Sequence, residues 1–438
     1  MGTKNFLDAS LRPPALDHQP HDEAGAPGSW AMLDVRAYIA DRRNATTAHG
    51  RMNNGGEIQV TFCVAPPPAV SYFCVWCPEP AHLAGIGTEP RIIAAEADLA
   101  VLRVGFGSLF DCVDPQCQDI FVYHAGGGEK GPSLRLVTND DDPYCLYFNT
   151  GILRHRDDTN PDDDDHYYIV AMDYSKLPWH QFRHGPKRVI MLGEGGLMGF
   201  VDPWRGILVC SVLDCEDELH YIPFPRSLKD NKKLLVNPVI ARDIAVVQGR
   251  IKVVDCFYCY ASGAWKASVW SRAATSLEKN NWDRDYVFEI RDGLVDTNTL
   301  HFELLPKLQA EDGNSPQQTL EALHIAHPTL SLNDDHNVYL MAKVDTCNKR
   351  ARVLAVDLKN KRLQDVGVFH AERYLDITLS YIHSRISKYF KTTPSNSNAL
   401  AAHGYKRGPH SYMTFRTSVR TSAHCVQCVP PCTSTFLG

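Results

Sequence analysis

Long hydrophobic runs and a charge excess of one sign are both missing from this sequence. No segment approaches about 18 uninterrupted apolar residues, so no membrane span is predicted. The net charge is only −6 over 438 residues, which gives no electrostatic reason to expect nucleic acid or an anionic membrane as a partner. The N-terminus, Met1–Ser10, lacks the apolar stretch of a signal peptide, so the expected location is the cytoplasm, the nucleus or both.

Motifs for familiar catalytic chemistry are also absent. There is no Gly-x-Ser-x-Gly elbow for a serine nucleophile. The glycine-rich stretches 126–128 and 193–196 lack the Lys-Ser/Thr pair of a phosphate-binding loop and do not open a helix, so we interpret them as turns. We therefore assign no catalytic, cofactor-binding or metal-ligating residue and expect no cofactor.

Helical periodicity is scarce, whereas short apolar runs are frequent. The runs Leu197–Val201 and Ile207–Leu213 flank the turn Asp202–Gly206 and predict a buried β-hairpin, because Pro and Gly suit a tight turn. His220–Pro225 predicts a third strand beside it. Helical spacing is found only in Ala371–Lys391, which we predict to be a helix.

The same order of elements recurs along the chain and predicts the fold class. Each unit has an apolar strand, a turn, a second apolar strand ending in Asp, and a shorter strand. A propeller blade takes about 40–45 residues in common repeat families, so roughly 340 ordered residues that include long loops predict about six or seven blades. We predict an all-β, propeller-like fold of antiparallel sheets, with two packed β-sandwiches as the alternative. The clearest units are Leu197–Phe224, Ile244–Trp270 and Val338–Phe369.

Composition divides the chain into three regions. Residues 1–29 are rich in Pro, Asp, His, Gly and Ala and predict a disordered leader. The propeller-like domain is expected over residues 30–390. Residues 391–438 have no apolar periodicity and predict a disordered tail that carries several cysteines.

Several sequence segments resemble a known family. The segments that carry the resemblance are Trp30–Asp34, Asn44–Ala48, Ala65–Ser71, Phe200–Cys210 and His220–Pro225. They are similar to the plant proteins grouped as domain of unknown function 1618, which is expanded in grasses, over about Trp30 to Phe390. The resemblance implies a grass protein with an all-β, propeller-like body, and implies no activity. It is also reminiscent of the β-rich region that follows an F-box in plant ubiquitin-ligase adaptors.

Cysteines and tryptophans are the side chains that could carry a function. The pairs Cys74/Cys77 and Cys256/Cys259 have the spacing of a zinc or thiol redox site, but residues i and i+3 of a strand point to opposite faces. We therefore interpret them as buried, reduced thiols. For the tryptophans we expect core packing, with Trp179 and Trp204 in loops as the least certain. The tryptophans considered are Trp76, Trp179, Trp204, Trp265, Trp270 and Trp282.

Three functional hypotheses follow. The first is a non-catalytic, monomeric interaction module that presents propeller loops to an unidentified protein partner. The second is a hydrolase whose active site is carried by loops on one propeller face, which predicts Asp, His and Arg clustered at the central channel. The third is a zinc or redox sensor that uses the cysteine pairs.

Overall fold

The computed structural model describes most of the chain between residues 6 and 390. The predicted disordered tail and Trp179 lie outside the described residues. The described ranges are 6–15, 29–108, 110–126, 131–137, 150–154, 167–171, 185–193, 196–213, 219–230, 237–276, 281–296, 298–308, 317–373 and 380–390.

Five β-sheets of four or more strands dominate these residues, and we call them blades I to V. Blade I consists of β1 (Ala31–Asp34), β2 (Tyr38–Ile39), β3 (Ala48–Arg51), β4 (Glu57–Cys63), β5 (Val70–Trp76) and β26 (Tyr381–Ser384). Blade II consists of β6 (Arg91–Glu96), β7 (Leu99–Gly105), β8 (Gln118–His124) and β9 (Ser133–Val137). Blade III consists of β12 (Arg188–Met191), β13 (Leu197–Asp202), β14 (Gly206–Ser211) and β15 (His220–Pro223). Blade IV consists of β16 (Arg242–Val247), β17 (Arg250–Cys259), β18 (Ala264–Ala273) and β19 (Asp283–Ile290). Blade V consists of β22 (His324–Leu330), β23 (Asn337–Lys343), β24 (Arg350–Asp357) and β25 (Arg362–His370).

Two-stranded sheets and short helices complete the described structure. The small sheets are β10 (Thr150–Arg154) with β11 (Tyr167–Ala171), and β20 (Lys307–Leu308) with β21 (Gln317–Gln318). The α-helices are α1 (Pro80–Gly85), α2 (Arg226–Asp230) and α3 (Pro238–Ala241). Short 3-10 helices cover Asp8–Leu11, Asp111–Val113, Pro115–Cys117, Asp292–Leu294, Phe302–Leu304, Ala371–Arg373 and Ile386–Tyr389.

The sheets stand side by side in a ring, which is a β-propeller. The strands that line the centre of the ring meet in the order β6, β10, β12, β16, β22 and β26, where β26 is the edge strand of blade I. Separate hydrophobic clusters fill the spaces between neighbours: blades I and II share one, and blades III and IV share another. The ring closes where the Ile92 N–H donates to the Val35 carbonyl at 2.9 Å. The propeller prediction is confirmed, and the alternative of two sandwiches does not fit a ring of this kind.

The predicted blade number was too high. The described residues form five blades, and the β10–β11 sheet occupies a place in the ring between blades II and III. Ile152 and Ile169 pack on blade II, whereas Leu153 and Val170 pack on blade III. The excess arose because the number was taken from chain length and a common blade length, whereas the described part of residues 138–184 contributes only these two strands.

Blade I joins the two ends of the described chain. β26 is antiparallel to β1, with Asp34 opposite Tyr381, and β1 is parallel to β5. The Arg373 guanidinium forms an ion pair with Asp34, and both side chains are almost fully buried. The same guanidinium lies 3.6 Å from the centre of the Tyr38 ring and donates to the Ala37 carbonyl at 3.1 Å. These contacts fix the segment that follows blade V against the first strands of blade I.

The hairpin predicted at the Asp202–Gly206 turn is confirmed. β13 and β14 pair with Asp202 opposite Gly206, and β15 pairs with β14 on the other side. The Asp202 carboxylate accepts hydrogen bonds from the Trp204 N–H at 2.9 Å and from Arg205 Nη1 at 2.7 Å. A β-carbon on Gly206 would lie 2.3 Å from the Ile222 carbonyl oxygen, so only glycine fits this close approach.

Two local predictions were wrong. Within the predicted helix Ala371–Lys391, the described residues form β26 flanked by 3-10 helices, because pairing with β1 overrides the helical spacing; residues 374–379 and 391 lie outside the described residues. Residues 6–15 of the predicted disordered leader are described and pack on blade I. Ser10 is buried and donates to Glu89 at 2.7 Å, and the Tyr72 hydroxyl donates to the Pro14 carbonyl at 2.8 Å.

Candidate functional site

The central channel encloses a cavity of about 620 Å³. Its walls come from the strands that line the centre of the ring, so residues far apart in the sequence face one space. An ion pair between Arg188 of β12 and Asp243 of β16 forms part of the wall. Asp243 also accepts a hydrogen bond from the Leu330 N–H at 2.9 Å. Burial disfavours the charged carboxylate, but Arg188 and the other groups outweigh it and lower the pKa of Asp243.

Two side chains, one in β26 and one directly after it, donate hydrogen bonds to the backbone of β16. His383 Nε2 donates to the Ile244 carbonyl at 3.1 Å, and Arg385 Nη2 donates to the Val246 carbonyl at 3.2 Å. The two donors and the two acceptors are each two residues apart, so one face of β26 follows one edge of β16. Burial and Arg188 lower the pKa of His383 to about 4, which keeps the ring neutral near pH 7.

His327 is held in an unusual conformation at the same cavity. A β-bulge in β22 places His327 and Pro328 outside the regular pairing, and His327 has φ of +52°. Its Nε2 accepts a hydrogen bond from the Ser380 N–H at 3.2 Å, so the proton of the neutral ring sits on Nδ1. Burial lowers the pKa of His327 to about 4.

Two polar groups in this part of the wall have no hydrogen-bond partner among the described residues. They are His327 Nδ1 and the Tyr381 hydroxyl, and both side chains are at least nine-tenths buried. The two rings are in contact, with centroids 4.5 Å apart. Buried polar groups nearly always have a hydrogen-bond partner, so these two groups are exceptions among the described residues.

The hydrolase hypothesis predicts that Asp, His and Arg side chains cluster in the central channel. The structure does bring such residues together there. Asp243, Arg188 and His383 are engaged with one another or with backbone carbonyls of the next strand, so they also hold blades together. With His327 included, the members of this cluster come from four different strands. Reasoning from the sequence therefore missed the cluster. The only local signal was the His327-Pro328 pair inside an apolar strand, which is typical of a bulge.

A second cavity, of about 480 Å³, lies between blades IV and V, and we call it the aromatic groove. Tyr258 packs edge-on against Tyr260 and Trp265, with ring centroids 5.2 and 5.5 Å away. Tyr260 is 81% exposed. Trp204 and Leu323 line the opposite parts of the groove, and the indole of Trp265 donates to the Leu323 carbonyl at 3.0 Å.

A buried ion pair supports the floor of the aromatic groove. Arg242 donates to Asp255 at 2.5 Å, and neither side chain is more than 2% exposed. The Arg242 guanidinium also donates to the Pro203 carbonyl at 2.8 Å and lies 4.7 Å from the centre of the Trp204 ring. Trp204, uncertain from the sequence, is therefore fixed at the groove through a cation–π contact.

Three of the four paired cysteines lie in strands, whereas Cys77 follows the end of β5, and the expected burial does not hold for Cys259. Cys256 and Cys259 are both in β17, where Cys256 is buried and Cys259 is partly exposed. Cys74 and Cys77 are both buried. Within the described ranges, no group of three His, Cys, Asp or Glu side chains is placed to hold a metal ion. Trp270 and Trp282 pack against the cluster between blades III and IV.

A family model identifies the central part of the chain. The model described as "Protein of unknown function (DUF1618)" matches residues 200–339. Over these residues the chain is similar to the DUF1618 family, and we call them the DUF1618 segment. The resemblance inferred from the sequence is confirmed over this range, while the grass origin stays a prediction. The DUF1618 segment runs from β13 to β23, so it contains the Asp202–Gly206 turn, the Arg242–Asp255 pair and His327.

Other comparisons add little to the DUF1618 match. No curated protein matches the chain. Among solved structures, the chain is similar to the COPII coat assembled on membranes (8% identity, 77% of this chain and 36% of that chain, TM-score 0.25). It is also similar to apo AztD from Citrobacter koseri (8% identity, 77% and 62%, TM-score 0.22) and the WD40 domain of SCAP from fission yeast (7% identity, 82% and 72%, TM-score 0.22). The chain thus spans 36% and 62% of the first two structures. Because the TM-scores are this low, the propeller assignment is based on the sheets described above and not on these comparisons.

None of the helices in the described residues is both long and apolar enough to span a membrane.

Proposed function

We propose that this protein is a non-catalytic interaction module that acts as a monomer and binds a partner protein through the aromatic groove. The observation that carries the proposal is the cluster of exposed Tyr260 with partly buried Tyr258 and Trp265 beside a cavity of about 480 Å³. Aromatic side chains around a pocket are typical of the residues that dominate protein–protein binding energy. The occupant we propose is an extended segment of the partner that inserts an apolar side chain between Trp204 and Tyr260.

The groove is preorganised, which supports this role. Trp204 is held by the Arg242 guanidinium and Trp265 by its hydrogen bond to Leu323, so neither ring must be ordered on binding. Rigid aromatic anchors lose less conformational entropy on association than flexible side chains do. Tyr260 is the exposed member, so an inserted group would pack against its ring.

Affinity capture with a matched pair of variants tests the proposal. The full-length protein, Tyr260→Ser and Phe110→Ser are each used as bait in extracts of the source organism. Phe110 is 86% exposed and does not line the groove, so it controls for general loss of surface hydrophobicity. We expect a stoichiometric protein that is captured by the wild type and by Phe110→Ser and is reduced about tenfold or more by Tyr260→Ser. Absence of such a protein, or equal capture by both variants, would contradict the proposal.

A further inference from the structure

We propose that the channel cavity binds a small organic acid with one carboxylate and an apolar body. This site shares no lining residue with the aromatic groove, so it does not depend on the function proposed above. A cavity of about 620 Å³ lies within the range of about 300–1,000 Å³ that is common for small-molecule sites.

The charges that line the cavity favour an anion. Arg242 also lines it, but its charge is neutralised by Asp255. The remaining cations are Lys187, Arg188 and Arg385, and the carboxyl groups are Glu96 and Asp243, which leaves one positive charge in excess (three minus two). Burial raises the pKa of Glu96, and a protonated Glu96 increases that excess.

Arg385 is the cation best placed to hold a carboxylate. Arg188 already has Asp243 as its ionic partner. Arg385 has no carboxylate within 4.0 Å among the described residues, although its charge lowers the pKa of Glu96 against the effect of burial, and its Nη2 donates to a neutral acceptor, the Val246 carbonyl. A guanidinium has five N–H donors, so it can keep this bond and still bind a carboxylate.

Further along the wall, the unpartnered groups described above provide an independent reason to expect a ligand. The Tyr381 hydroxyl and the His327 Nδ1–H are buried at the same cavity and can both donate a hydrogen bond. The wall also includes aliphatic side chains. They are Ile92 of β6, Ile190 of β12 and Leu192, which directly follows β12. A ligand that fits both features has an oxygen-bearing head and an apolar body.

Calorimetric titration of the full chain with three probes of equal shape but different charge tests the proposal. The probes are hexanoate, hexanamide and hexylammonium. We expect hexanoate to bind at one site, hexanamide to bind about tenfold more weakly, and hexylammonium not to bind, because a charge-assisted hydrogen bond contributes about one order of magnitude in affinity. No binding of hexanoate, or equal binding of hexanoate and hexanamide, would overturn the proposal.

Variants locate the binding site. Arg385→Gln retains a donor for the Val246 carbonyl but loses the charge, and we expect a loss of about tenfold in hexanoate affinity with hexanamide unchanged. Arg291→Gln removes an exposed arginine next to Glu289, outside the cavity, and should change nothing. If Arg385→Gln fails to fold, Lys187→Gln replaces it, because Lys187 is exposed and lines the cavity. We expect a loss of about threefold there, and unchanged affinity would count against the site.

Discussion

The buried ion pair beneath the aromatic groove makes a quantitative prediction. Asp255→Ala leaves the Arg242 guanidinium buried with carbonyl acceptors and the Trp204 ring but without a compensating charge. Removing one partner of a buried pair costs about 3–5 kcal/mol, because the remaining charge has lost its solvation and its counter-ion. That is a large share of a typical unfolding free energy of about 5–15 kcal/mol.

The double variant Arg242→Met, Asp255→Ala separates charge from packing. It removes the unpaired charge but leaves the Pro203 and Leu228 carbonyls without their donor. An unsatisfied buried acceptor costs about 1–3 kcal/mol, so we expect the double variant to be more stable than Asp255→Ala and less stable than the wild type.

Urea unfolding followed by tryptophan fluorescence measures both changes. The control is Glu289→Ala, which breaks two partly exposed pairs, with Lys266 and with Arg291, beside the same blade and should shift the midpoint only slightly. If Asp255→Ala shifts the midpoint no more than Glu289→Ala does, the buried charge is not what holds this junction and the reasoning is refuted.

Three further predictions concern the channel and the central hairpin. His327, with its pKa lowered to about 4 by burial, stabilises the fold above its unfolded pKa of about 6.5 and loses that contribution as the pH falls towards 4, at about 1.4 kcal/mol per pH unit. The urea midpoint measured at pH 7 and pH 5 should therefore fall less for His327→Gln than for the wild type or for a variant of the exposed His49; an equal fall would show that His327 does not titrate in this way. Tyr381→Phe removes a buried hydroxyl without a partner and should raise the unfolding free energy by about 1 kcal/mol, whereas a loss in the same urea assay would reveal a hidden partner. Gly206→Ala should lower the melting temperature through a cost of about 1–3 kcal/mol, since its β-carbon meets the Ile222 carbonyl, whereas Gly193→Ala enters open space and should not; similar melting temperatures for the two would contradict the steric argument.

Local elements could be predicted because their signals are local. The Asp202–Gly206 turn lies between two apolar runs, and Gln248-Gly249 lies between β16 and β17 with positive φ at both residues, as a two-residue hairpin turn requires. In such hairpins the pairing partners are near neighbours in the sequence. Alternation and turn chemistry are then sufficient to place the strands.

Contacts between distant parts of the chain could not be predicted in the same way. β1 and β26 each look unremarkable alone, and the helical spacing in residues 371–391 even favours the wrong element. The channel cluster has the same origin: Arg188, Asp243, His327 and His383 come together only after the sheets have taken their places in the ring. A single sequence does not show which strands will face one another around the central channel.

The pairing of β1 with β26 sets an order of events during synthesis. Asp34 lies opposite Tyr381, so the first strand of the domain waits for a partner that is translated about 350 residues later. At about 5–20 residues per second, that delay is roughly 20–70 seconds, during which one edge of blade I is open. An unpaired strand edge is a template for pairing with other chains. The nascent protein is therefore vulnerable to aggregation throughout that delay, and chaperone binding in that interval would protect the edge that β26 later covers.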